Sequence, residues 1–426
     1  MFIPTKHLKA THMKYLTMLF LAAVTGVCNN LNAQSLLGFQ LENNASQVYL
    51  SFKNESHLMI VPIKINDSGP LNFILDTGSE SGMIFDKLII GENNLVDART
   101  IPVYAKDGIK ITDIWVANNI DINFSGVKGH DQSMLVLQEN FVDVENVIGI
   151  KAHGILGSEI FNRFVVEVNY PNRTIGLTKP ESFTPPKRYK KTPIIIENSR
   201  PYIRMKVKQK GRKKVELKLL IDTGASSPLL LDPEANDKIK VPKKTLDHVV
   251  GRSIAGVMNG KIGRVKKVKI GKFKFKKVLA SYPDDWGIAQ NPDSLPDEDV
   301  RYGTVGSELL SKFNIIFNYR EKCIYLKPNE NFKEPFRFNT IGLNVMAFGK
   351  DLNNYFVNDI IKDSPADHAG LQVGDEVIAL NNNPAFFYEL SQITNILKSN
   401  KGNLLKLIIR RDGDLLQFNL KHKRLL

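Results

Sequence analysis

Two stretches of this chain are copies of one another, and that repeat constrains its fold more than any other feature. Gly157-Ser-Glu-Ile-Phe-Asn-Arg-Phe164 is matched by Gly306-Ser-Glu-Leu-Leu-Ser-Lys-Phe313. The correspondence continues without a gap: Asn169-Tyr170 with Asn318-Tyr319, Arg173 with Lys322, Ile175 with Ile324 and Leu177 with Leu326. Upstream, Phe73-Ile-Leu-Asp-Thr-Gly-Ser79 is echoed by Leu219-Leu-Ile-Asp-Thr-Gly-Ala225. Asp76 precedes Gly157 by 81 positions and Asp222 precedes Gly306 by 84. One structural unit is therefore used twice in tandem.

Each copy consists of short alternating or apolar runs rich in Val, Ile and Phe, broken by Gly, Asn-Asp and Pro, which are strand and turn signals. The Gly-Ser-Glu segments predict one short helix per copy, because an acidic residue falls in the first turn. Prolines and charges make residues 179–199 a linker between the copies, and residues 329–338 a second one. Beyond it the composition changes, and a separate domain with a helix over about residues 388–398 is expected. At 426 residues, 42% hydrophobic and 24% charged, the chain can bury several cores and is too apolar to be largely disordered.

The residues around each Asp suit one chemistry. Three apolar residues place it at the end of a buried strand, Thr supplies a hydroxyl, and Gly permits close backbone approach. Two carboxylates about 4 Å apart repel by roughly 4 kcal/mol at an effective dielectric near 20, on the order of three pKa units. One is then held protonated and can donate to a carbonyl, while the ionised partner acts as base toward a water. That division of labour hydrolyses a peptide bond without a metal or a nucleophilic side chain, and its titration belongs to the pair.

On these motifs, residues of about 58–178 and 200–328 resemble aspartic peptidases of the retropepsin and pepsin type. The apolar-apolar-Gly segments Ile155-Leu156-Gly157 and Thr304-Val305-Gly306 complete the resemblance, the second softened by Thr304. It implies a mainly β fold: two retropepsin-like β-barrel lobes, residues 34–178 and 200–328, forming a bilobal peptidase in one chain that acts as a monomer. Pairing of lobes between chains is the alternative. By motif match Asp76 and Asp222 are the catalytic pair, with Thr77, Gly78, Thr223 and Gly224 in supporting loops, no cofactor and no metal; the substrates are peptides or proteins. After the Gly, Ser79 and Ala225 differ, and a missing hydroxyl near Asp222 predicts a higher acid limit and a mildly acidic optimum. Hairpin turns at Tyr104-Ala-Lys-Asp-Gly-Ile109 and Gly256-Val-Met-Asn-Gly-Lys261 are candidate flaps over the cleft.

Residues 339–422 resemble a small α+β PDZ domain, most clearly at Ser364-Pro-Ala-Asp-His-Ala-Gly-Leu-Gln-Val-Gly-Asp-Glu-Val-Ile378. The resemblance implies peptide binding at Gly342, Leu343, Asn344 and Val345, with Asn344 in place of the family loop's second Gly. A substrate, or the tail Arg424-Leu-Leu426, is the expected ligand.

Lys6, Lys9 and Lys14 precede an apolar run from Tyr15 to Val27 that is too short to span a bilayer, and Ala33 suits a cleavage site. Residues 1–33 are thus expected to be a signal peptide, the protein exported to the periplasm, cell envelope or medium, with no stable membrane span once the leader is removed. Cys28 would leave with it, and Cys323 would have no disulfide partner. The formal charge is +14, but the Lys residues between Lys261 and Lys277 alternate with Val265, Val268, Ile270, Phe273 and Phe275, as on the wet face of half-buried strands; no nucleic-acid partner is expected. The other reading is a non-catalytic envelope scaffold that holds peptides in a peptidase-like cleft.

Overall fold

The computed structural model describes residues 38–91, 95, 98–104, 108–138, 140, 143–253, 256–285, 301–399 and 404–426; residues 1–33, expected to be a signal peptide, and Cys28 among them lie outside the described residues. The chain is mainly β. Strand formation follows the sequence pattern: Leu58–Ile65 and Arg200–Lys208 bury a continuous run (58–61 and 201–203) and then alternate, and the strands preceding each Asp turn their last apolar residues into the core.

The two lobes are two sheets of one topology. In lobe 1, Leu58–Ile65 pairs with Leu71–Leu75, which runs parallel to Gly154–Leu156; the short strand Met83–Ile84 then joins Gly154–Leu156 to Val127–Leu137. In lobe 2, Arg200–Lys208, Lys214–Asp222, Gly303–Gly306, Leu229–Leu231 and Phe273–Pro283 follow in the same order with the same directions. Each sheet curls onto itself where its first strand also meets a long hairpin arm, Lys64 opposite Asn123 and Lys206 opposite Lys269. Both expected helices form, at Ser158–Arg163 and Ser307–Leu310.

A third, six-stranded sheet belongs to neither lobe alone. Its central strands, Val165–Asn169 and Phe313–Asn318, are repeat-related and pair antiparallel with Val168 opposite Ile315 and Val166 opposite Phe317. The copies thus meet about a local two-fold axis. The stretch read as a linker is built into this framework: Lys190–Pro193 pairs with Cys323–Pro328, and Ile195–Glu197 joins the lobe 2 sheet. Residues 329–338 likewise pack, with Phe332 and Phe336 against Phe275. Strand pairing overrode loop-forming composition in the first stretch; the second keeps its loop character but is packed against lobe 2.

One continuous core serves both lobes, running from Phe39 through Leu75, Phe161, Ile221 and Phe317 to Leu326. The C-terminal unit has its own core and a sheet of Leu343–Phe348, Asn354–Ile360, Glu376–Leu380, Leu404–Arg411 and Asp414–Lys421, with the helix Leu390–Leu397 where one was expected. Asp375, buried at its turn, accepts from Arg411 Nε and Nη2 at 2.6 and 2.7 Å, a paired buried charge.

Phe317 is 1% exposed, lies in the shared sheet and meets the Phe161 ring edge-on at 5.3 Å. Phe317→Ala should cost about 3–5 kcal/mol. Because both lobes share this core, urea unfolding followed by fluorescence and by circular dichroism should move together to lower urea and should not split into two transitions.

Candidate active site

Each Asp-Thr-Gly turn stands at the end of a strand and is held from beneath by the strand parallel to it. Asp76 N donates to Leu156 O at 2.9 Å, and Asp222 lies opposite Gly306 in register. Ser158 Oγ donates to Glu80 O at 2.6 Å and Ser307 Oγ to Thr223 O at 2.8 Å, so the helix after each support strand pins the loop beside it.

The two turns then grip each other. Thr77 Oγ1 donates to Ile221 O at 2.7 Å and accepts from Thr223 N at 3.0 Å; Thr223 Oγ1 donates to Leu75 O at 2.8 Å and accepts from Thr77 N at 3.0 Å. Both threonines are fully buried. Each hydroxyl uses its one proton and a lone pair on the opposite lobe, so Leu75 O, Ile221 O, Thr77 N and Thr223 N are all satisfied across the junction.

The glycines bring the carboxyls together. A Cβ on Gly78 would lie 2.6 Å from Asp222 Cγ, and one on Gly224 only 2.5 Å from Asp76 Cγ. Any side chain there would drive the opposite carboxyl away, which is the physical need for Gly in both turns. Gly78 N and Gly224 N donate to Asp76 Oδ1 at 2.7 and 3.0 Å; Gly224 N and Ala225 N donate to Asp222 Oδ1 at 2.9 and 2.8 Å. Gly224 N is therefore shared by both carboxyls. Burial, then the charge of Asp222, pushes the Asp76 carboxyl well above the usual range, against the pull of the two amides. Tyr319 beneath is pushed up by its burial and then by the charge of Asp76.

Two sequence expectations differ from the structure, and one flap candidate agrees with it. Ser79 Oγ donates to Ser81 O at 2.7 Å and not to Asp76, so the Ser/Ala difference between the loops does not act on the carboxyls through a hydroxyl. The first flap candidate is a hairpin of Arg99–Tyr104 and Lys110–Phe124, with residues 105–107 outside the described ones. The second is a hairpin of Leu246–Ser253 and Gly256–Ile270, whose pairing runs out to Ser253 opposite Gly256. Asn259-Gly260 lies within the strand, because Gly260 sits so close to Tyr282 that a Cβ would come 2.3 Å from its carbonyl oxygen.

In the C-terminal unit, Gly342 precedes the strand Leu343–Phe348 and adopts φ +81°. Ile341 N and Gly342 N both donate to Asn339 Oδ1, at 3.0 and 2.8 Å. Asn344 Nδ2 donates to Asp359 at 2.9 Å. The tail runs past this loop without pairing with the strand Leu343–Phe348: Lys423 N donates to Thr340 O, and Leu426 is buried in the core shared by the lobes. Sequence reasoning had no signal for Asn339, whose importance depends on which amides it reaches.

A bilobal β framework with paired Asp-Thr-Gly turns, joined to a small α+β unit, defines the class as a protease-like PDZ protein. Family models agree: residues 205–309 match an aspartyl protease model and residues 356–411 a PDZ domain model, so the chain carries both modules. The first match contains Asp222; Asp76 is related to it by the repeat. No curated protein matches the chain. A solved photosystem II D1 C-terminal processing protease is similar at 16% identity and a TM-score of 0.19, covering 20% of this chain and 23% of that one, a likeness too slight to inform the fold.

Thr77→Val and Thr223→Val should each cost about 1–3 kcal/mol by orphaning buried groups of the opposite lobe, and the double variant should lose less than the sum, since the network is shared; urea titration of the four proteins checks this. Asp76 supplies a second expectation. A carboxyl raised by folding holds a proton that the unfolded chain has released, so its contribution is full below about pH 4 and is lost as pH rises through the folded value. Asp76→Asn should therefore gain in Tm over the wild type between acidic and neutral pH, as read by calorimetry at both.

Proposed function

We propose that this chain is an exported aspartic endopeptidase that hydrolyses peptide bonds through a water activated by Asp76 and Asp222. The observation that carries the reading is the reciprocal packing of Gly78 on Asp222 and Gly224 on Asp76, which holds a buried and a half-buried carboxyl side by side. A binding cleft gains nothing from two carboxyls in mutual repulsion, whereas acid–base catalysis uses it.

The chemistry follows from the shared proton. Asp76 donates to the carbonyl oxygen of the scissile bond while an oxygen of Asp222 takes a proton from the attacking water, giving a neutral tetrahedral diol. Its collapse moves a proton to the leaving nitrogen, breaks the C–N bond and releases a carboxyl and an amine. The main-chain amides of Gly78, Gly224 and Ala225 fix the carboxyls in place throughout. Both carboxyls come from one chain, so a monomer is sufficient. Export rests on the charged, then apolar, first 33 residues. The PDZ module is the element for peptide recognition.

Cleavage of a random peptide pool should be lost by a factor of about 10³ or more in both Asp76→Asn and Asp222→Asn. The wild-type rate should peak at mildly acidic pH, since one proton must remain on the pair. Half the activity in either variant would mean independent sites, and an inert wild type would favour the peptide-holding scaffold. Gly224→Ala, which forces a methyl against Asp76, should lower kcat with a smaller change in KM.

A further inference from the structure

In the PDZ unit the strand Leu343–Phe348 is the sheet's edge and pairs only with Asn354–Ile360. A bare edge offers a row of unpaired amides and carbonyls to any passing strand, and adding a peptide strand at such an edge is how this kind of module binds. In this chain something already lies there. The lobe 1 helix Val144–Ile148 packs alongside the edge strand. Gly149, which follows with φ +74°, reaches the groove's other wall: a Cβ on it would lie 2.6 Å from Cβ of Leu390, the first residue of the helix Leu390–Leu397. Both walls of the groove therefore touch one short segment of lobe 1.

Lobe 2 holds both that segment and the PDZ unit. Arg252, on the flap hairpin of lobe 2, reaches Asp143 Oδ2 at 3.6 Å with Nη1 and Met346 Sδ on the edge strand at 3.7 Å with Nη2. His248 on the same hairpin lies 3.2 Å from Asp359 Oδ2 and 3.3 Å from Asn344 Nδ2. At the other end of the groove, Asn339 Oδ1 takes the amide hydrogens of Ile341 and Gly342, just before the edge strand, where the loop was expected to bind a peptide.

We propose that the PDZ groove is an intramolecular dock whose ligand is residues 143–149 of lobe 1, so that the module latches lobe 1 and lobe 2 together and an outside peptide can enter only by displacing that segment. The consequence reaches the aspartates. Residues 143–149 lead directly into the support strand Gly154–Leu156, whose Leu156 O accepts from Asp76 N. Releasing the dock loosens the strand beneath one carboxyl. The link to catalysis rests on the peptidase reading, whereas the docking does not.

The test is hydrogen exchange on the full-length chain, with mass spectrometry, for wild type, Gly149→Glu and Arg252→Ala. Wild-type amides of the edge strand Leu343–Phe348 should be protected although no strand pairs on their outer side. Gly149→Glu places a side chain where Leu390 sits, and exchange should rise about tenfold or more, together, in Val144–Ile148, Leu343–Phe348 and Gly154–Leu156. Arg252→Ala should produce a smaller rise in the same three segments. Leu404–Arg411 and Lys214–Asp222 should keep wild-type exchange, which separates undocking from unfolding. Fast exchange of the wild-type edge strand, or a Gly149→Glu protein in which only Val144–Ile148 changes, would overturn the proposal. Peptide-pool turnover measured on the same samples tests the link separately: docking established with no activity in any protein would count against the peptidase reading alone, and undocking with unchanged turnover would overturn the coupling to Asp76.

Discussion

Everything at the centre of this molecule depends on two threonine hydroxyls that each cross to the other lobe. Thr77 and Thr223 satisfy main-chain groups that the strand ends leave open, and they do so reciprocally, so neither lobe can close its own strand end alone. The cost of an unpaired buried polar group is what makes this interaction strong, more than the value of any one hydrogen bond. With the turns locked face to face, the glycines that follow must lie against the opposite carboxyls, and the close pairing of the aspartates results from that packing.

The same two-fold logic extends outward. Repeat-related strands pair at the middle of a shared sheet, and a single core runs through both lobes. A repeat with independent cores would leave two domains free to move; a shared core fixes the geometry between them. The PDZ unit, although it has its own core, adds a further tie by resting on lobe 1 at Gly149 and on lobe 2 through Arg252 and His248. A module expected to reach outward for peptides is turned inward against the two lobes.

Much of this was legible from residues alone. The Asp-Thr-Gly pair, the support segments, both short helices and the helix Leu390–Leu397 follow from local pattern, because each depends on residues a few positions apart. The pattern failed where partners are distant. Residues 190–193 have the composition of a linker yet are a strand, since Cys323–Pro328 offers an edge to pair with. Asn259-Gly260 has the signature of a hairpin turn, but its Gly is needed for close contact with Tyr282. Ser79 looked like a ligand of its neighbouring Asp and instead closes its own loop onto Ser81.

The sequence by itself determined that a strand-end Asp would occur twice, in equivalent surroundings, followed by a small peptide-binding type of domain. Periodicity and a short motif carry that information, and a repeat guarantees that whatever one copy builds the other builds too. Only the tertiary structure decided that the two carboxyls share the amide of Gly224, that Asn339 occupies the loop amides of the PDZ unit, and that lobe 1 covers its edge strand. The first and the last depend on groups from remote parts of the chain arriving against one another, Gly224 on Asp76 and Gly149 on Leu390, which close packing settles and no local pattern encodes; the Asn339 turn is local, but it belongs to no motif that the sequence displays.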